Sequence, residues 1–573
     1  MTAMNEHQAV KIIPLGGLGE IGLNMLALEC EGKILLIDCG LMFPEDFMLG
    51  VDIVIPDFTY LAGRSNDIVA LLLTHAHEDH IGAVPYLLRH HKPVVVGSKI
   101  TLAFLEYELA HSRVSGNGNG GGNGHANGNG NGFADVRMET VAAGDKRDYG
   151  PFTVEFIQVS HSIHGGFALA IRTPQGLIIH SGDFKLDFTP FDGEMTDMNR
   201  FAQFGDQGVL CMLSDSTNVE REGYTISERD IALELENIFH DCPGRIIVTL
   251  FASNLQRIQQ IFDISSRFSR KIVLNGRSVV ESIRIGRQLG VLKIDDDLLG
   301  DLNDLEKLDP SRIVILCTGS QGEPMSVLTR IAENNHKHIE IEAGDTVILS
   351  SKIIPGNERA VTNIINELYR KGADVVYETI SKIHTSGHAY QEELKVLLRL
   401  CKPKHFIPIH GEYRQLVQHA KLAKKMGVAS KNIHVLESGD SIIAVDGALR
   451  AGDRVPSGRV YVDGHGIGDV GNIVLTDRRL LSEDGTITCA LAHRDGMIVS
   501  GPHFKSKGVV YEPEYAELID EAKNLVLETM QTLRTDNAFS EEDAKQEIAR
   551  AVRRLFAKRI GRRPIVIPVI MEV

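Results

Sequence analysis

The chain has 573 residues, of which 43% are hydrophobic and 24% charged, enough for two to four domains of ordinary globular composition. The formal net charge of −16 gives no general attraction to nucleic acid, although binding depends on local patches more than on totals. No charged-then-apolar leader opens the chain and no apolar run approaches ~18 residues, so we expect a cytoplasmic protein without signal peptide or membrane span. Seven scattered cysteines without a CxxC pair predict buried, reduced thiols.

The first third of the chain contains short apolar runs that end at glycine or acidic turns. Such runs predict strands, and helix-like stretches such as VPYLLRHH (84–91) between them predict sheets covered by helices. The strand-like runs are VKIIPL (10–15), KILLID (33–38), IVALLL (68–73), KPVVVG (92–97), FTVEFIQVS (152–160) and GLIIHS (176–181). The Gly/Asn-rich stretch 116–132 cannot bury a core and predicts a flexible surface insertion without a site.

Strands and helices alternate regularly from about residue 213, which predicts a second domain of parallel βα units. Its strand-like runs are GRIIVTLF (244–251), RKIVLNG (270–276), SRIVILCTG (311–319) and DTVILSS (345–351). The stretch from ADVVYETI (373–380) to KHFIPIHGE (404–412) resembles the first domain resuming. In a third module, Ser540 with Asp543 predicts the start of a last helix, with a stripe of Ala544, Ile548, Val552, Leu555 and Ile560.

The segment THAHEDHIG (74–82) directly follows the predicted strand 68–73. It places three histidines and two acids within six positions, and a solvated turn does not require three histidines. Side chains at the end of a buried strand have a rigid support, and imidazole with carboxylate suits zinc or manganese. The segment therefore predicts a metal site, with His75, His77, Asp79 and His80 as ligand candidates.

Further candidate ligands follow three other strand-like runs, namely His161 in VSHSIHGG, Asp183 in HSGDFKLD and His410 in IPIHGE. Each alone is weak, because a histidine beside an apolar run is more often a structural residue. Together with HxHxDH they supply enough nitrogen and oxygen ligands for two metals, with Asp183 able to bridge them. A pair of metals is suited to hydrolysis, because it stabilises both the attacking and the leaving oxygen.

Two other patterns have competing explanations. Gly17–Gly22 fits GxGxxG, with Asp38 at a distance suited to a ribose contact, but the following NMLALECEGKILLID predicts a hairpin turning at Glu31–Gly32 and not the required helix. The basic run IARAVRRLFAKRIGRRP (548–564) is either a phosphate-facing surface or the solvated face of a helix, and we favour the second. No GxSxG elbow is present to anchor a serine hydrolase.

The motifs resemble those of a known family. HxHxDH with the later His, Asp and His is similar to the metallo-β-lactamase superfamily, and SDSTN (214–218), SGHAY (386–390) and PIHGE (408–412) are similar to its β-CASP branch, which processes nucleic acid. The motifs GGLGEIG (16–22), TGSQGEP (318–324), IPGNE (354–358) and HTSGH (384–388), together with the tail RRPIVIPVIMEV, resemble ribonuclease J end to end.

This resemblance implies a fold and its boundaries. The fold class is α/β, a metallo-β-lactamase αββα sandwich with an inserted β-CASP α/β domain and a small C-terminal α+β domain. The metallo-β-lactamase domain is expected over 1–212 and 365–450, the β-CASP domain over 213–364, a linker over 451–470 and the C-terminal domain over 471–573.

The resemblance also implies roles for individual residues. A first metal site is expected to hold His75, His77 and His161, and a second Asp79, His80 and His410, with Asp183 bridging. Asp38 in LLIDCG supports the site from behind the ligands, Asp215 matches β-CASP motif A, His388 motif B and His410 motif C. A histidine at motif C resembles the RNA-directed members, whereas DNA-directed members tend to have valine. The segment His384, Thr385, Ser386, Gly387 and His388 resembles the part that cradles a substrate phosphate.

The implied activity is hydrolysis of single-stranded RNA with two divalent ions, zinc by ligand type or alternatively manganese. The family resemblance implies 5′→3′ exonuclease activity preferring 5′-monophosphate ends, endonuclease activity, and a part in RNA maturation and decay. Asp79 is expected to orient the attacking oxygen, and His388 to protonate or stabilise the leaving 3′-oxygen. A homodimer or homotetramer and an RNA-degradation complex are the implied partners, with no membrane.

The chain departs from the family pattern at one position, and two other functions compete with that of a ribonuclease. The chain has HSIHGG where the family commonly has HSIP followed by a small or acidic residue, so His164 is expected to alter contacts near the substrate. A hydrolase of thioesters or lactones is disfavoured, because small-substrate members do not need the segment 213–364. A catalytically weak scaffold subunit is disfavoured because all seven candidate ligands and His388 are retained.

Overall fold

The structure is a computed structural model that describes residues 8–112, 133, 135–323, 325–354, 356–464, 466–510, 515–535 and 540–573. The chain divides into two compact units, Met1–Phe43 with Ile53–Val460, and Pro44–Asp52 with Tyr461–Val573. The Gly/Asn-rich stretch 116–132 lies outside the described residues.

The first part of the first unit carries thirteen strands among its described residues. They are β1 Val10–Gly16, β2 Leu18–Gly19, β3 Met25–Cys30, β4 Lys33–Ile37, β5 Ile53–Pro56, β6 Ile68–Leu72, β7 Val95–Gly97, β8 Met138–Thr140, β9 Lys146–Tyr149, β10 Phe152–Val159, β11 Gly166–Thr173, β12 Gly176–His180 and β13 Cys211–Asp215. The helices are α1 Glu78–Ile81, α2 Val84–Leu87, α3 Lys99–His111 and α4 Met198–Gln207.

The rest of the first unit begins with alternating helices and strands. They are α5 Glu228–Asp241, β14 Ile246–Thr249, α6 Leu255–Arg267, β15 Lys271–Asn275, α7 Arg277–Gln288, β16 Leu299–Gly300, β17 Ile313–Cys317, α8 Val327–Ala332, β18 Thr346–Leu349, α9 Glu358–Arg370 and β19 Asp374–Val376. They are followed by α10 Gln391–Cys401, β20 His405–Ile409, β21 Gly411–Glu412, α11 Tyr413–Lys425, β22 Ile442–Val445 and β23 Ala448–Ala451. Single 3₁₀ turns lie at Thr59–Leu61, Ser65–Asp67, Asp296–Leu298, Leu302–Leu305, Pro310–Arg312 and Ser430–Asn432.

Two sheets of this unit pack face to face. The strand order is β23-β22-β1-β3-β4-β6-β7-β8 in one sheet and β20-β13-β12-β11-β10-β9 in the other. Side chains alternate along β11, so that Phe167 and Leu169 join the core shared with the first sheet, while Ala168 and Ala170 pack towards α4, α10 and α11. This period-two pattern lets one strand bury both of its faces, and it produces the αββα metallo-β-lactamase sandwich.

The predicted hairpin after the GxGxxG pattern is confirmed. β3 and β4 pair antiparallel up to Cys30↔Lys33, and the turn residues Glu31 and Gly32 both have positive φ, 51° and 73°. Such a two-residue turn matches the twist of the flanking strands. No helix opens at Gly17–Gly22, so the dinucleotide interpretation has no structural basis.

The third sheet is that of the inserted β-CASP domain, with strand order β16-β15-β17-β14-β18-β19 and parallel pairing throughout. Helices α5, α6 and α7 cover one face and α8 and α9 the other, as the predicted βα alternation requires. The stretch expected to resume the first domain begins with a strand of this sheet, because β19 pairs with β18 at its edge. A βαβ pattern is the same whichever sheet receives its second strand, so the sequence alone did not decide this.

The second unit contains its own small α+β fold. Its elements are β24 Arg459–Asp463, β25 Gly466–Ile467, α12 Asn472–Asp484, β26 Thr486–Arg494, β27 Met497–Lys507, α13 Ala516–Thr535, α14 Glu541–Ile560 and β28 Ile565–Glu572. The sheet order is β27-β26-β28, with α13 and α14 packed on it around one apolar core.

The last helix largely matches its predicted stripe. Ser540 caps α14 by accepting a hydrogen bond from the Asp543 N–H at 3.3 Å. The buried positions are Ala544, Ile548, Val552 and Phe556, while the predicted Leu555 and Ile560 are only partly buried. Phe556 completes the stripe because it lies four residues after Val552 on the same face.

Two expectations about the whole chain can be compared with the structure. All seven cysteines are buried and free, as their scattered positions predict. Among the described residues, no helix has the length and apolarity needed to cross a membrane.

Candidate metal centre and substrate loop

The candidate ligands come from the ends of neighbouring strands. β12, β13 and β20 are parallel neighbours; Asp215 is the last residue of β13, and the segments that leave β12 and β20 carry Asp183 and His410. β6 of the facing sheet leads into the histidine-rich segment and α1, and β10 leads into His161. Because the carboxyl ends of parallel strands lie at one edge of a sheet, residues more than 200 positions apart meet there.

Three histidine rings form what we call the imidazole group, His75, His77 and His161. The His77 Nδ1 lies 3.0 Å from the His75 Nε2 and 3.1 Å from the His161 Nε2. The His161 Nδ1–H donates to the Gly387 carbonyl at 2.6 Å, which leaves its Nε2 directed at the other two rings. Three convergent imidazole nitrogens are a ligand set suited to a divalent metal such as zinc.

The carboxylate group consists of Asp79, His80, Asp183 and His410. The Asp183 Oδ2 lies 3.2 Å from the His80 Nε2 and 3.3 Å from the His410 Nε2. The same oxygen is 3.6 Å from the His75 Nε2 and 3.9 Å from the His161 Nε2, so it lies between the two groups. This is where a bridging carboxylate would have to lie.

Unpartnered buried atoms test whether these residues fit a metal. Among the described residues, the His410 Nδ1 is buried without a hydrogen-bond partner, and the Asp183 Oδ2 meets only the ring nitrogens around it, which lie at 3.2 Å or more. Burying a polar atom without good hydrogen bonds costs free energy of folding, and a bound ion would explain why these atoms are left so. The ligand atoms within the imidazole group, and within the carboxylate group, lie within 4.8 Å of one another. The donor set therefore fits divalent metal ions.

Asp38 orients the carboxylate group from behind. It accepts hydrogen bonds from the Thr74 N–H, the Thr74 hydroxyl and the His80 Nδ1–H, each at 2.8 Å. The bond to Nδ1 directs the His80 Nε2 towards Asp183, as supporting carboxylates do behind metal-binding histidines. Close packing also needs Gly40, because a Cβ there would lie 1.6 Å from the Asp79 carbonyl oxygen.

The two groups differ in their proton affinity. Burial lowers the pKa of His75 and His161 well below the usual range and that of His77 to about 4. Burial also opposes charge on His410, but Asp183, Asp215 and Asp79 outweigh it and raise its pKa to about 9. The pKa of His80 is also raised: burial opposes its charge, but Asp183, Asp79 and Asp38 outweigh burial. The imidazole group is thus neutral, and the carboxylate group attracts cations.

His388 lies at the edge of the metal centre. Its Nδ1–H donates to the Asp215 Oδ2 at 2.8 Å, and its side chain is 21% exposed, against 3% for Asp183. Burial opposes protonation, but Asp215 and Asp183 raise its pKa above the usual value. Asp215 is held in turn by Thr217, whose N–H and hydroxyl donate to its Oδ1 at 2.9 and 2.7 Å.

The segment 384–388, which is predicted to bind substrate and which we therefore call the substrate loop, is held by long-range contacts. The Thr385 hydroxyl donates to the Ile226 carbonyl at 2.6 Å, so it serves the fold. The Ser386 hydroxyl accepts from the Asn218 side chain at 2.6 Å. A Cβ on Gly387 would lie 2.5 Å from the His161 Cε1, so glycine is required for this approach. The loop therefore contacts the metal centre through its own backbone.

His384 lies in a different environment from the rest of the loop. Burial, reinforced by Arg257, lowers its pKa to about 3, so it is neutral at physiological pH. It can act as a hydrogen-bond donor towards a phosphate, but not as a cation.

Sequence reasoning missed residues that hold these groups in place. Asn218 also donates to the His388 carbonyl at 3.1 Å, and Asn24 donates to the Asp79 carbonyl at 3.0 Å. Asn218 stands in the quoted motif SDSTN, which was the available signal. His164 joins none of the candidate metal groups found among the described residues; its Nε2 lies 3.2 Å from Asp192.

The basic run at the end of α14 keeps both of its explanations. Arg550 and Arg559 pair with Glu547 and Glu521, and Arg553 and Arg562 bond backbone carbonyls. These contacts fit the solvated face of a helix end, where cations are favourable.

Comparison with known families covers most of the chain. Residues 20–194 match the metallo-beta-lactamase superfamily and 243–368 the ribonuclease J beta-CASP domain. Residues 372–436 match the Zn-dependent metallo-hydrolase RNA specificity domain, and 473–573 the ribonuclease J C-terminal domain.

Individual relatives are similar over the full length. Ribonuclease J 1 of Streptococcus pyogenes serotype M3 is 37% identical, covering 98% of this chain and 97% of that protein. Ribonuclease J2 of Bacillus subtilis is 37% identical, covering 98% and 99%. A solved structure of a protein of unknown function from Enterococcus faecalis V583 has a TM-score of 0.51 at 15% identity, covering 76% of this chain and 100% of that chain, a likeness of fold alone.

Proposed function

The chain belongs to the ribonuclease J family, and from this membership we propose a two-metal hydrolase of single-stranded RNA that degrades from 5′-monophosphate ends and also cuts internally. The coarser statement, a metal-dependent ribonuclease, is supported by the relatives and by the RNA-specificity match at 372–436. The observation that supports two metals is the position of the Asp183 Oδ2 between both histidine-bearing groups, with His388 beside it, whereas the end preference and the internal cutting rest on the family membership.

When bound, metal ions would supply positive charge for the phosphodiester and would lower the pKa of a water molecule. Within this chain, the imidazole group would hold one ion and Asp79, His80 and His410 the other, with Asp183 shared. Asp79 is the most exposed of these acids, with 31% of its side chain accessible, so it is placed to orient the attacking oxygen. Zinc suits the ligand types best, and manganese is the alternative.

His388 supplies the proton for the leaving group. Its Nδ1 is committed to Asp215, so Nε2 is the atom available to substrate. The raised pKa favours the protonated ring, which suits a general acid that protonates the leaving 3′-oxygen. Asp215 would hold the ring orientation and stabilise its charge during the reaction.

The substrate loop is proposed to bind the phosphate at the 5′ end of the RNA. The His384 ring and the Ser386 hydroxyl would donate to phosphate oxygens beside the Gly387 backbone, and such contacts position a strand without reading its sequence. His384 and Ser386 lie within 5 residues of His388, so recognition of the 5′ end of the RNA and proton donation by His388 would be coupled. By resemblance we extend the proposal to a cytoplasmic homodimer or homotetramer acting in RNA maturation and decay, and to an RNA-degradation complex as partner.

The experiment is a time course on single-stranded RNA labelled at its 3′ end, with either a 5′-monophosphate or a 5′-triphosphate. Each substrate is incubated with Mn²⁺, with Zn²⁺ and with a chelator. Metal-dependent loss of RNA that is faster for the monophosphate is the expected result. Cleavage indifferent to the 5′ end would remove the end preference, and no cleavage by the metal-loaded protein would favour the scaffold hypothesis.

A matched pair of variants identifies the site. Asp79→Ala/His80→Ala removes two carboxylate-group residues and is expected to abolish cleavage. Asp206→Ala/His338→Ala changes the same residue types at exposed positions and is expected to cleave as the wild type does. Equal activity of the two variants would contradict the assignment of the centre.

A further inference from the structure

Four charged side chains are buried together outside the metal centre. Lys185 and Arg257 are 0% exposed, Glu228 is 1% and Asp187 4% exposed. They come from the segment after β12 and from the first turns of α5 and α6, which belong to different domains of the family's architecture. Burying charges costs free energy even when they are paired, so stability alone is a weak explanation for this cluster.

Arg257 makes the central contacts of the cluster. Its Nη2 donates to the Glu228 Oε2 at 2.6 Å, and its Nη1 donates to the Ile383 carbonyl at 2.6 Å. The Ser350 hydroxyl donates to the same carbonyl at 2.7 Å. A guanidinium has a fixed planar geometry, so bonds to two partners define the position of both.

The cluster also includes a side chain from the segment that carries Asp183. Lys185 stands two residues after Asp183, and its Nζ lies 3.3 Å from the Asp187 Oδ2 and 3.7 Å from the Glu228 Oε1. The Asp187 Oδ2 accepts the Glu228 N–H at 3.0 Å. A continuous set of contacts therefore runs from Lys185, two residues after Asp183, through Glu228 and Arg257 to Ile383.

Ile383 directly precedes the substrate loop. The other end of the loop is tied to the metal centre by the bonds of Gly387 to His161 and of His388 to Asp215. The loop begins at His384, and the hydrogen bond from Arg257 to the Ile383 carbonyl lies one residue before it. A displacement of this carbonyl would move His384 relative to Asp183 without touching a candidate ligand.

We propose that Arg257 and Glu228 are a positioning pair, which sets the distance between the start of the substrate loop and the metal centre and thereby the binding of RNA. The inference rests on the proposed ribonuclease activity and deepens it, because neither residue touches substrate or metal. Loss of the pair is expected to raise KM for RNA about ten- to a hundredfold, since losing a hydrogen bond to a charged phosphate lowers affinity by about that factor, while the metal content stays unchanged.

The test replaces both members at once, as Arg257→Met/Glu228→Met. Exchanging a buried pair for apolar side chains of similar volume often preserves stability, whereas a single exchange leaves an unpaired buried charge. The measurements on the full-length, metal-loaded protein are the melting temperature, metal per chain, and KM and kcat on 5′-monophosphorylated RNA. A raised KM with wild-type metal content is the expected result.

The same domain offers a matched control. Arg245 and Asp345 form a buried pair with Nε–Oδ1 and Nη2–Oδ2 distances of 2.8 and 2.6 Å, and their other bonds do not reach the substrate loop. Arg245→Met/Asp345→Met is expected to keep the wild-type KM. A test-pair variant with wild-type KM, or a control with an equal rise, would overturn the proposal.

A second variant covers the case in which the double variant does not fold. Arg257→Lys keeps the charge beside Glu228 but loses the fork that serves two partners, and a smaller rise in KM at full metal content is expected. A wild-type KM for Arg257→Lys would overturn the proposal. Failure of the wild-type protein to cleave RNA in the same assay would instead contradict the proposed function.

Discussion

The histidines of the imidazole group and those of the carboxylate group lie around the same oxygen, the Asp183 Oδ2, but they differ in charge. In the imidazole group, burial keeps His75, His77 and His161 neutral, and its supporting contact is a backbone carbonyl, that of Gly387. In the carboxylate group, acidic neighbours hold protons on His80 and His410, and the supporting contact is the carboxylate of Asp38. A metal entering the first group meets free lone pairs, whereas one entering the second must displace protons.

The largest effect is expected where the two groups meet. Asp183→Asn removes the shared negative charge, so both groups should lose metal and RNA cleavage should fall by at least about 10³-fold, as when a main electrostatic stabiliser is removed. Metal per chain and initial cleavage rates check this. Asp206→Asn, an exposed carboxylate paired with Lys402, is the control. Retention of one full metal equivalent would show that the groups are independent.

The second prediction concerns pH and separates the groups directly. Since the pKa of His410 is about 9, its proton is bound below that pH and must leave for the metal to bind. Apparent affinity of the carboxylate group should therefore fall about tenfold per displaced proton for each pH unit below 9. His77, with a pKa of about 4, binds no competing proton between pH 6 and 9.

Equilibrium dialysis at fixed free Zn²⁺ measures this difference as metal per chain at pH 6 and pH 9. We expect one ion to be retained across the range and the other to be lost towards pH 6. In His410→Ala the pH-dependent part should shrink. Parallel loss of both ions would show that the charge difference does not govern binding.

A third prediction addresses the support of the carboxylate group. Asp38→Asn keeps the size of the side chain and tolerates the φ of 58°, but removes the charge behind His80. Cleavage or metal affinity should fall about 10- to 100-fold, which is typical of such supporting residues. Asp446→Asn, at a φ of 50° on an exposed turn, is the control. A larger loss of metal from the imidazole group than from the carboxylate group would reverse the comparison.

The smallest effect is expected at the support of the imidazole group. In Gly387→Ala, the new Cβ would lie 2.5 Å from the His161 Cε1 and 2.7 Å from its Nδ1, so the ring or the loop must shift. We expect activity to fall about tenfold, within the range for altered supporting contacts. Gly471→Ala, where a Cβ meets open space, should leave activity unchanged. Wild-type metal affinity and cleavage in Gly387→Ala would show that the contact is not required.

Much of the candidate site was accessible from the sequence because local patterns carry it. The HxHxDH spacing after a buried strand, and single His or Asp residues after three others, identified residues that the structure brings together around Asp183. Their metal-binding roles remain predictions. The pattern worked because each candidate directly follows a strand, and strand ends gather at one edge of a sheet.

The contacts that the sequence did not predict join residues over long separations. Asn218 bonds Ser386 across 168 positions, His161 bonds Gly387 across 226, and Arg257 bonds Ile383 across 126. The sheet that receives the edge strand Asp374–Val376 was not predictable for a related reason, since its own residues specify a strand but not its neighbour.

The sequence by itself determined many strands of the first unit, the hairpin at Glu31–Gly32, and the donor types offered to a metal, because hydrophobic periodicity, turn chemistry and ligand chemistry are local properties. Only the tertiary structure decided that His75, His77 and His161 are neutral while His80 and His410 attract protons. The chemical type of all five residues is the same. Their difference comes from burial and from the distance to Asp183, Asp79 and Asp38, which only the packed fold sets.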